Sequence, residues 1–268
     1  MRINTNLNAM IATNQISKNT ALAGSSMEKL STGLRITKAG DDAAGLAVSE
    51  KMRAQIRGME QAERNVQDGI SMVQTAEGAL EEAGNIAQRM RELGVQAGND
   101  TLSDDDRTKV KKELEQLQDE MKKISEETKF NGKQLLNTAG TFTIQAGANS
   151  ETRTITTADL SSIANGLSTI TISSSSQAQS FVENVDKALT SINDARSALG
   201  AMQNRLEYTA NNLTTSTENL TAAESRIRDV DVAKEMVTLS KLNILNQASQ
   251  AMVSQAKQQP ESVSQLLR

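Results

Sequence analysis

The sequence contains no cysteine, no histidine and no tryptophan, and each absence excludes a class of chemistry. Without cysteine the chain has no disulfide framework and no thiolate nucleophile, and without histidine it has no imidazole base. Metal sites built from thiolates or imidazoles are excluded for the same reason. Because no catalytic motif is found either, we predict that the protein is not an enzyme and uses no cofactor.

Aromatic residues are also rare, since the chain has only three phenylalanines and one tyrosine. Aromatic rings normally supply much of the buried area of a thick globular core. A hydrophobic fraction of 37% is also low for the core of a 268-residue globular chain. Both features favour thin helical bundles, in which Leu, Ile, Val, Met and Ala fill a narrow seam.

The formal net charge of −4 argues against a nucleic-acid partner, because such binders need a basic face that displaces counterions. No apolar run approaches the roughly 20 residues that span a bilayer, so we expect no membrane partner. The start of the chain lacks the basic residues and the continuous apolar stretch of a cleavable signal peptide. These features predict a cytoplasmic protein, unless export follows a route that needs no cleavage.

The strongest pattern is the recurrence of apolar residues in steps of three and four along three segments. One segment runs from Met52 to Met90. The other two consist of Val110, Leu114, Leu117, Met121 and Ile124, and of Val185, Ala188, Ile192, Ala195, Leu199, Met202, Leu206, Leu213, Leu220, Ala223, Ile227 and Val230. Because this spacing is typical of coiled coils, we predict a mainly α fold, an elongated bundle of long antiparallel helices.

Glycine and aspartate interrupt the helical pattern at two places. Residues 33–45 hold three glycines and two aspartates and predict an irregular connector. We interpret Asp41 and Asp42 as helix caps rather than as an acid–base pair, because no partner nucleophile is in view. After a break near residue 97, Ser103 and Asp106 have the spacing of a capping box, and the acidic run there suits a helix start better than a cation site.

Residues 140–160 change to a period of two, in which Phe142 and Ile144 alternate with threonines. This pattern predicts a small β-hairpin near residues 141–156. Asn131-Gly132 predicts a turn shortly before it. We interpret the Ser/Thr-rich segment 161–176 as a surface excursion that precedes the third long helix.

Both ends of the chain carry apolar residues at helical spacing, although chain ends are usually polar. The predicted self-assembly seam consists of Ile3, Leu7, Met10, Ile11, Leu242, Leu245, Met252, Leu266 and Leu267. The other faces of these segments carry Asn, Gln, Ser and Thr, which cost less to bury than charged residues. We infer that the two ends pair with each other and are buried among other copies of the chain.

Several long motifs resemble those of bacterial flagellins. They are MRINTNLNAMIATN at the start, KLSTGLRITKAGDDAAGLAVSEKMRAQIRG at 29–58, VQDGISMVQTAEGAL at 66–80 and NLTAAESRIRDVDVAKEM at 219–236. The resemblance covers roughly residues 1–136 and 180–268, and the large outer domains of long flagellins are absent. It implies a structural subunit that assembles head-to-tail into the extracellular flagellar filament used for motility.

The resemblance also implies how the subunit is exported and organised. Flagellins are exported unfolded without signal cleavage, and their terminal segments are disordered until assembly pairs them. The implied domains are a terminal coiled-coil inner domain, residues 1–43 with 228–268, and a helical rod domain, residues 44–227, that carries the hairpin. Besides further subunits, the expected partners are an export chaperone, the filament cap and hook-junction proteins.

A receptor-recognition motif of the family is similar to QRMRELGVQ at residues 88–96. Arg89 and Leu93 match its key positions, and Glu113 on the following predicted helix matches a third. The resemblance thus implies that a flagellin-sensing Toll-like receptor recognises the released subunit. Gly94 departs from the family pattern, in which alanine is common at that position.

Two other interpretations stay open at this point. A secreted coiled-coil interaction protein, such as a translocator or an adhesin, would also have amphipathic helices, but membrane-binding faces are usually rich in Lys and Arg. A hook–filament junction protein is the nearer alternative, because it belongs to the same family. The protease domain that some flagellins carry is excluded, because the central insert is short and has no zinc-binding histidine.

Overall fold

A computed structural model describes residues 6–266 of the chain and the side chains of residues 6–258. Long helices dominate the structure, so the predicted mainly α fold is confirmed. In chain order the elements are α1 (Leu7–Thr32), α2 (Ala43–Ala97), α3 (Asp104–Glu127), β1 (Lys129–Phe130), β2 (Lys133–Gln134), β3 (Thr141–Gln145), β4 (Thr152–Thr156), α4 (Leu160–Gly166), α5 (Ser175–Arg228) and α6 (Val232–Leu266). Each segment with steps of three and four lies in one long helix, except that Val230 follows the end of α5.

The chain divides into two units, and both α2 and α5 contribute residues to each of them. The first unit contains the residues up to Ala54 and those from Asn219 onward, and the second contains Gln55–Glu218. The predicted inner and rod domains, with boundaries at residues 43 and 228, refer to the assembled filament and stay a prediction.

Capping residues fix where the first two helices begin and end. Asn6 caps α1 by accepting a hydrogen bond from Ala9 N at 3.1 Å, and Gly33 ends this helix with a φ of 72°. Glycine adopts that left-handed conformation without the steric cost of a Cβ. At the start of α2, Asp42 Oδ1 accepts a hydrogen bond from Gly45 N at 2.8 Å, which confirms the capping interpretation for Asp42. The interpretation is wrong for Asp41, whose carboxylate accepts its hydrogen bonds within the connector.

Ser103 and the acidic run that follows it start α3, as the sequence predicts. Ser103 Oγ accepts a hydrogen bond from Asp106 N at 3.3 Å and donates one to the Asp106 carboxylate at 2.8 Å. Asp104, Asp105 and Asp106 occupy the first turn, where negative charge interacts favourably with the helix dipole. The pKa of Asp106 lies below its usual value, because Ser103 and then Lys109 donate hydrogen bonds to its carboxylate.

The apolar seams of the long helices form the core of the second unit. The buried seam residues include Val66, Val73, Leu80, Ala87 and Met90 on α2, Val110, Leu114 and Met121 on α3, and Val185, Ile192, Leu199, Leu206 and Leu213 on α5. Burial of each large apolar side chain contributes about 1.5–3 kcal/mol relative to exposure. The periodicity of the sequence therefore predicted the faces of these helices that pack together.

The second unit contains two hairpins, although the sequence predicted only one. Strands β3 and β4 pair antiparallel with Phe142 opposite Ile155, so the predicted hairpin is confirmed. Strands β1 and β2 form a shorter hairpin around Asn131 and Gly132, whose φ values of 49° and 78° suit a tight turn. The sequence predicted this turn but not its strands, because two-residue strands are too short to show a period.

The longer hairpin packs on α2 at positions where the helix has glycine. A Cβ on Gly69 would lie 2.1 Å from Ile144 Cδ1, and a Cβ on Gly58 would lie 2.9 Å from Ala148 Cβ. A larger residue at Gly58 would displace the hairpin, because the backbone of Ala148 lies close to it, whereas a larger residue at Gly69 would require the Ile144 side chain to move. The two glycines thus set how closely the hairpin approaches the helix.

The Ser/Thr-rich segment 161–176 differs from the prediction of a surface excursion. It contains most of α4 and continues as an irregular segment whose apolar side chains are buried. Leu167, Ile170 and Ile172 are at most 5% exposed, whereas the serines and threonines between them are exposed. Because most residues of this segment carry hydroxyl groups, the sequence did not indicate that its few apolar residues belong to the core.

Candidate self-assembly surface

Helices α1 and α6 pack against each other in the first unit through a seam of mostly small and polar residues. The less exposed positions of each helix recur mainly in alternating steps of three and four. They include Asn6 just before α1, Ala9, Ala12, Ile16, Asn19, Ala23, Ser26 and Leu30 on α1, and Glu235, Leu239, Leu242, Asn246, Ser249, Val253 and Ala256 on α6. Because few of these side chains are large and apolar, the helix pair itself gains little from the hydrophobic effect.

The two helices run antiparallel, and polar contacts lie within their seam. Asn6 Nδ2, just before α1, donates a hydrogen bond to Ala256 O near the end of α6, at 2.6 Å. Asn19 is 3% exposed and accepts a hydrogen bond from Gln15 Nε2 at 3.1 Å. Asn246 Oδ1 is buried without a hydrogen-bond partner. A buried polar residue in a helical seam favours one register at a cost in stability.

Other large apolar residues of both helices lie outside this seam and are 40–70% exposed. They are Leu7, Met10, Ile11, Leu22 and Met27 on α1, and Val232, Met236, Val237, Ile244, Leu245 and Met252 on α6. We call these residues the outer apolar surface. Elsewhere among the described side chains, the large hydrophobic residues that are similarly exposed are Val48, Val95 and Tyr208. Concentrated exposed apolar residues mark sites of protein association.

The structure divides the predicted self-assembly seam between two surfaces. Its members on the outer apolar surface are Leu7, Met10, Ile11, Leu245 and Met252. Leu242 is 8% exposed and lies in the α1–α6 seam instead. Ile3, Leu266 and Leu267 lie outside the residues whose side chains the structure describes. The sequence analysis missed the separation, although the regular spacing of Asn19, Ala23 and Ser26 was a signal for it.

The connectors that join α1 to α2 and α5 to α6 pair with each other in the first unit. An antiparallel β-bridge joins Leu34 to Asp229. The Arg228 side chain is buried, and its Nη1 donates hydrogen bonds to Ser49 Oγ at 3.3 Å and to the Glu50 carboxylate. These bonds join the end of α5 to α2 next to the bridge, and the Glu50 side chain that accepts one of them is 50% exposed. The β-bridge therefore holds the end of α1 close to the start of α6.

The residues that match the receptor-recognition motif lie on α2 and α3 in the second unit. Arg89 donates hydrogen bonds to Glu92 and to Glu113, each at 3.0 Å, and all three side chains are at least 46% exposed. The hydrogen bonds to Glu113 and then to Glu92 raise the pKa of Arg89 above its usual value. Leu93 is only 2% exposed. The structure thus brings Arg89 and Glu113 together on the surface and places Leu93 in the core.

Gly94 lies where α2 packs closely against α5. A Cβ at this position would lie 2.8 Å from Val182 Cγ2 and 3.2 Å from Phe181 Cδ1. This close packing was not predictable from the sequence, because the residues next to Gly94 are remote along the chain.

Among the described residues, no group of three or more carboxylates is arranged to hold a metal ion. Within the same part of the chain, no helix is long and apolar enough to cross a membrane. The apolar side chains of the outer apolar surface carry no acid or base. Their favourable interaction is burial against a partner.

Comparison with known proteins gives matches over most of the chain. Residues 3–141 match the bacterial flagellin N-terminal helical region, and residues 182–267 match the bacterial flagellin C-terminal helical region. Flagellin of Halalkalibacterium halodurans is 54% identical, and the alignment covers 100% of both chains. The similarity therefore includes both terminal helices and the central region.

Solved structures of similar proteins have the same fold. The crystal structure of Bacillus cereus flagellin shares 36% identity with a TM-score of 0.52, over 60% of this chain and 94% of that chain. A putative flagellar hook-associated protein from Vibrio parahaemolyticus has a TM-score of 0.60 at 11% identity, over 70% of this chain and 100% of that chain. At 11% identity the similarity to the hook-associated protein shows the fold alone. The relative that is 54% identical over the full length is a flagellin.

Flagellins are structural proteins that polymerise with one another into the extracellular flagellar filament. The similarity of this chain to a flagellin extends over its whole length, so it is a filament subunit with the role in motility that follows from the family. By its sequence and by its fold, this chain belongs to the bacterial flagellin family.

Proposed function

We propose that the outer apolar surface is where this filament subunit contacts further copies of itself. The observation that supports the proposal is the exposure, by 40–70%, of the large apolar residues on α1 and α6. Burial of one such side chain contributes about 1.5–3 kcal/mol. A surface of this kind is unfavourable in a lone chain and favourable in a polymer.

The proposed contact is head-to-tail, so that one part of the surface on each subunit meets a different part on the next. Contacts between unlike patches that do not close into a ring continue into an open helical filament. The outer apolar surface suits such a contact, because α1 and α6 present different sets of apolar side chains.

We also propose that the chain is exported unfolded, without signal cleavage, and that α1 and α6 reach their paired form in the filament. Ordering each residue costs about 1–2 kcal/mol of backbone entropy, and the small, polar α1–α6 seam offsets only part of it. Neighbouring subunits supply the apolar burial that the pair lacks. The absence of cysteine supports this route, because no disulfide can form during transit.

Substitution of Ile244 tests the proposed contact surface. This residue is 65% exposed on α6, so an aspartate is tolerated in a single chain but must lose its hydration in the polymer. We expect I244D to keep the circular dichroism spectrum of the wild type and to lower the yield of seeded filaments by about tenfold or more. The control I244L keeps the apolar character and should polymerise normally. A normal filament yield from I244D would contradict the proposal.

We further propose that an export chaperone covers the outer apolar surface before assembly. Exposed apolar patches promote unspecific association, so a free subunit benefits from a protecting partner. By the same argument, the filament cap and the hook-junction proteins would contact this surface at the two ends of the filament, where it has no neighbouring subunit.

A flagellin-sensing Toll-like receptor is proposed to recognise the released subunit at Arg89 and Glu113. Their ion pair lies on exposed parts of α2 and α3, where a partner can reach it. Leu93 is 2% exposed, so its contribution would be to pack the helix that carries Arg89.

A further inference from the structure

The methionines of the terminal helices differ sharply in exposure from those of the second unit. Met10 and Met27 on α1, and Met236 and Met252 on α6, are 52–63% exposed. They are the exposed methionines of the described part of the chain, and all four belong to the outer apolar surface.

The other described methionines are partly or fully buried. Met59 and Met72 are 8% exposed, and Met90 and Met121 are completely buried in the second unit. Met52 and Met202 have intermediate exposure. The solvent-exposed thioether groups are therefore concentrated where the subunit is proposed to meet its neighbours.

We propose that Met10, Met27, Met236 and Met252 are a site of oxidative modification, at which peroxide converts the free subunit into a form that cannot assemble. This proposal rests on the proposed function of the outer apolar surface. The modified set, which we call the methionine site, consists of these four residues only.

The chemistry requires only the thioether and the peroxide. A sulfur lone pair attacks one peroxide oxygen, and the S–O bond forms as the O–O bond breaks. The departing hydroxide takes the proton from the oxygen now bound to sulfur and becomes water, which leaves the sulfoxide. The sulfur loses two electrons and becomes a sulfoxide, and the peroxide is reduced. Exposure controls the rate of this reaction, because the oxidant must reach the sulfur.

Oxidation at these positions changes the surface from apolar to polar. Methionine sulfoxide carries a strong hydrogen-bond acceptor that loses its hydration when the surface is buried. In a free subunit this group remains in water and costs little. In the filament each sulfoxide opposes the burial that drives assembly, and we expect about a tenfold loss of assembly per buried site.

Assembly in turn protects the methionine site. Once neighbouring subunits cover the outer apolar surface, peroxide no longer reaches the four sulfur atoms. The modification therefore acts on subunits before they assemble and spares the finished filament. Enzymatic reduction of methionine sulfoxide would restore the thioether and with it the ability to assemble.

Peptide mapping of the full-length chain after dilute hydrogen peroxide tests the first step. In the free subunit, sulfoxide should appear at Met10, Met27, Met236 and Met252 well before it appears at Met90 and Met121. The same treatment of assembled filaments should leave the methionine site largely unmodified. Equal oxidation rates at buried and exposed methionines, or unprotected sites in filaments, would overturn the proposal.

Seeded polymerisation tests the second step, with the variant M10L/M27L/M236L/M252L as control. Leucine keeps the apolar volume but cannot form a sulfoxide, so the filament yield of this variant, whatever its value without peroxide, should be the same after peroxide treatment. The treated wild type should polymerise at least about tenfold less than the untreated wild type. Undiminished assembly of the treated wild type, or equal sensitivity of the leucine variant, would refute the proposal.

The two experiments also separate this proposal from the proposed function. A failure of the untreated wild type to polymerise would contradict the assembly role, and with it the claim that oxidation blocks assembly. Oxidation that follows exposure but leaves polymerisation unchanged would contradict the methionine site alone.

Discussion

Arg89 and Arg91 are close neighbours on α2 that have the same side chain and different partners. Arg89 pairs with Glu113 of α3, whereas Arg91 Nε donates a hydrogen bond to Asp186 of α5 at 2.7 Å. Both arginine side chains are 52% exposed. Exposed ion pairs of this kind contribute less than about 1 kcal/mol, so either arginine can be removed without unfolding the chain.

Replacing each arginine by alanine tests the proposed receptor contact. We expect R89A to reduce the potency of the monomer on cells that carry a flagellin-sensing Toll-like receptor by about tenfold, because hydrogen bonds to a charged group contribute about 1.5–3 kcal/mol. R91A is the matched control and should keep nearly the potency of the wild type. Equal potency of R89A and the wild type in a dose–response assay would rule out the proposed role of Arg89.

Leu93 and Gly94 show what a motif does not determine at the residue scale. The motif placed Leu93 beside Arg89 in sequence, but whether a helical residue faces water or the core depends on the neighbouring helices. Leu93 faces the core, and Gly94 is restricted by Val182 of α5. Both facts follow from contacts between helices, and a single sequence does not give the relative rotation of two helices.

Among the elements, the connector between α1 and α2 has a well-defined turn built by Asp41. Asp41 Oδ2 accepts hydrogen bonds from Lys38 N at 3.0 Å and from Thr37 N at 3.1 Å. The Thr37 hydroxyl donates a third bond at 3.0 Å. The backbone N–H of Lys38, then that of Thr37, lowers the pKa of Asp41 from its usual value of 3.8.

This lowered pKa predicts how the turn responds to acid. Because the pKa of Asp41 is lower in the folded chain than in the unfolded chain, its stabilising contribution is complete above about pH 3.8 and is lost as the pH falls through the folded value. In D41N the side chain does not titrate, so that part of the pH dependence should disappear.

Thermal unfolding of the wild type and D41N from neutral pH to about pH 2.5 measures this effect. We expect the wild type to be the more stable of the two at neutral pH and the difference in Tm to shrink in acid. A difference that stays constant over this range would show that the Asp41 carboxylate does not stabilise the turn through its charge.

Elements with a strong local signal were predictable, and elements that depend on distant contacts were not. The end of α2 follows from the predicted break near residue 97, the start of α3 follows from the Ser103 cap, and the longer hairpin follows from the alternation around Phe142. By contrast, the Ser/Thr-rich segment was interpreted as surface although Ile170 and Ile172 are buried. Its apolar residues are few, so their role depends on the core that they meet.

For the whole molecule, the sequence predicted that the two ends pair with each other and contact other copies. It did not predict which residues form the α1–α6 seam and which form the outer apolar surface. The heptad spacing places small and polar residues such as Asn19 and Ser26 between α1 and α6, while larger residues such as Ile11 and Ile244 face outward. The seam combines small and polar residues with a few large apolar ones such as Leu242, whereas in the usual amphipathic pattern most large apolar residues face the partner helix. The exposed apolar residues suit the proposed contact with neighbouring subunits.

Deletion of residues 247–268 tests whether assembly depends on the terminal helices while the second unit folds without them. The deletion removes Met252 from the outer apolar surface and Ala256, which accepts the hydrogen bond from Asn6. The second unit should remain folded, because its buried seams lie entirely within residues 55–218. We therefore expect circular dichroism to show a loss of helical signal no larger than the loss of α1 and α6 would cause. We expect electron microscopy to show no filaments. A truncated chain that still polymerised would mean that assembly does not need the end of α6, since the apolar residues that remain would then suffice.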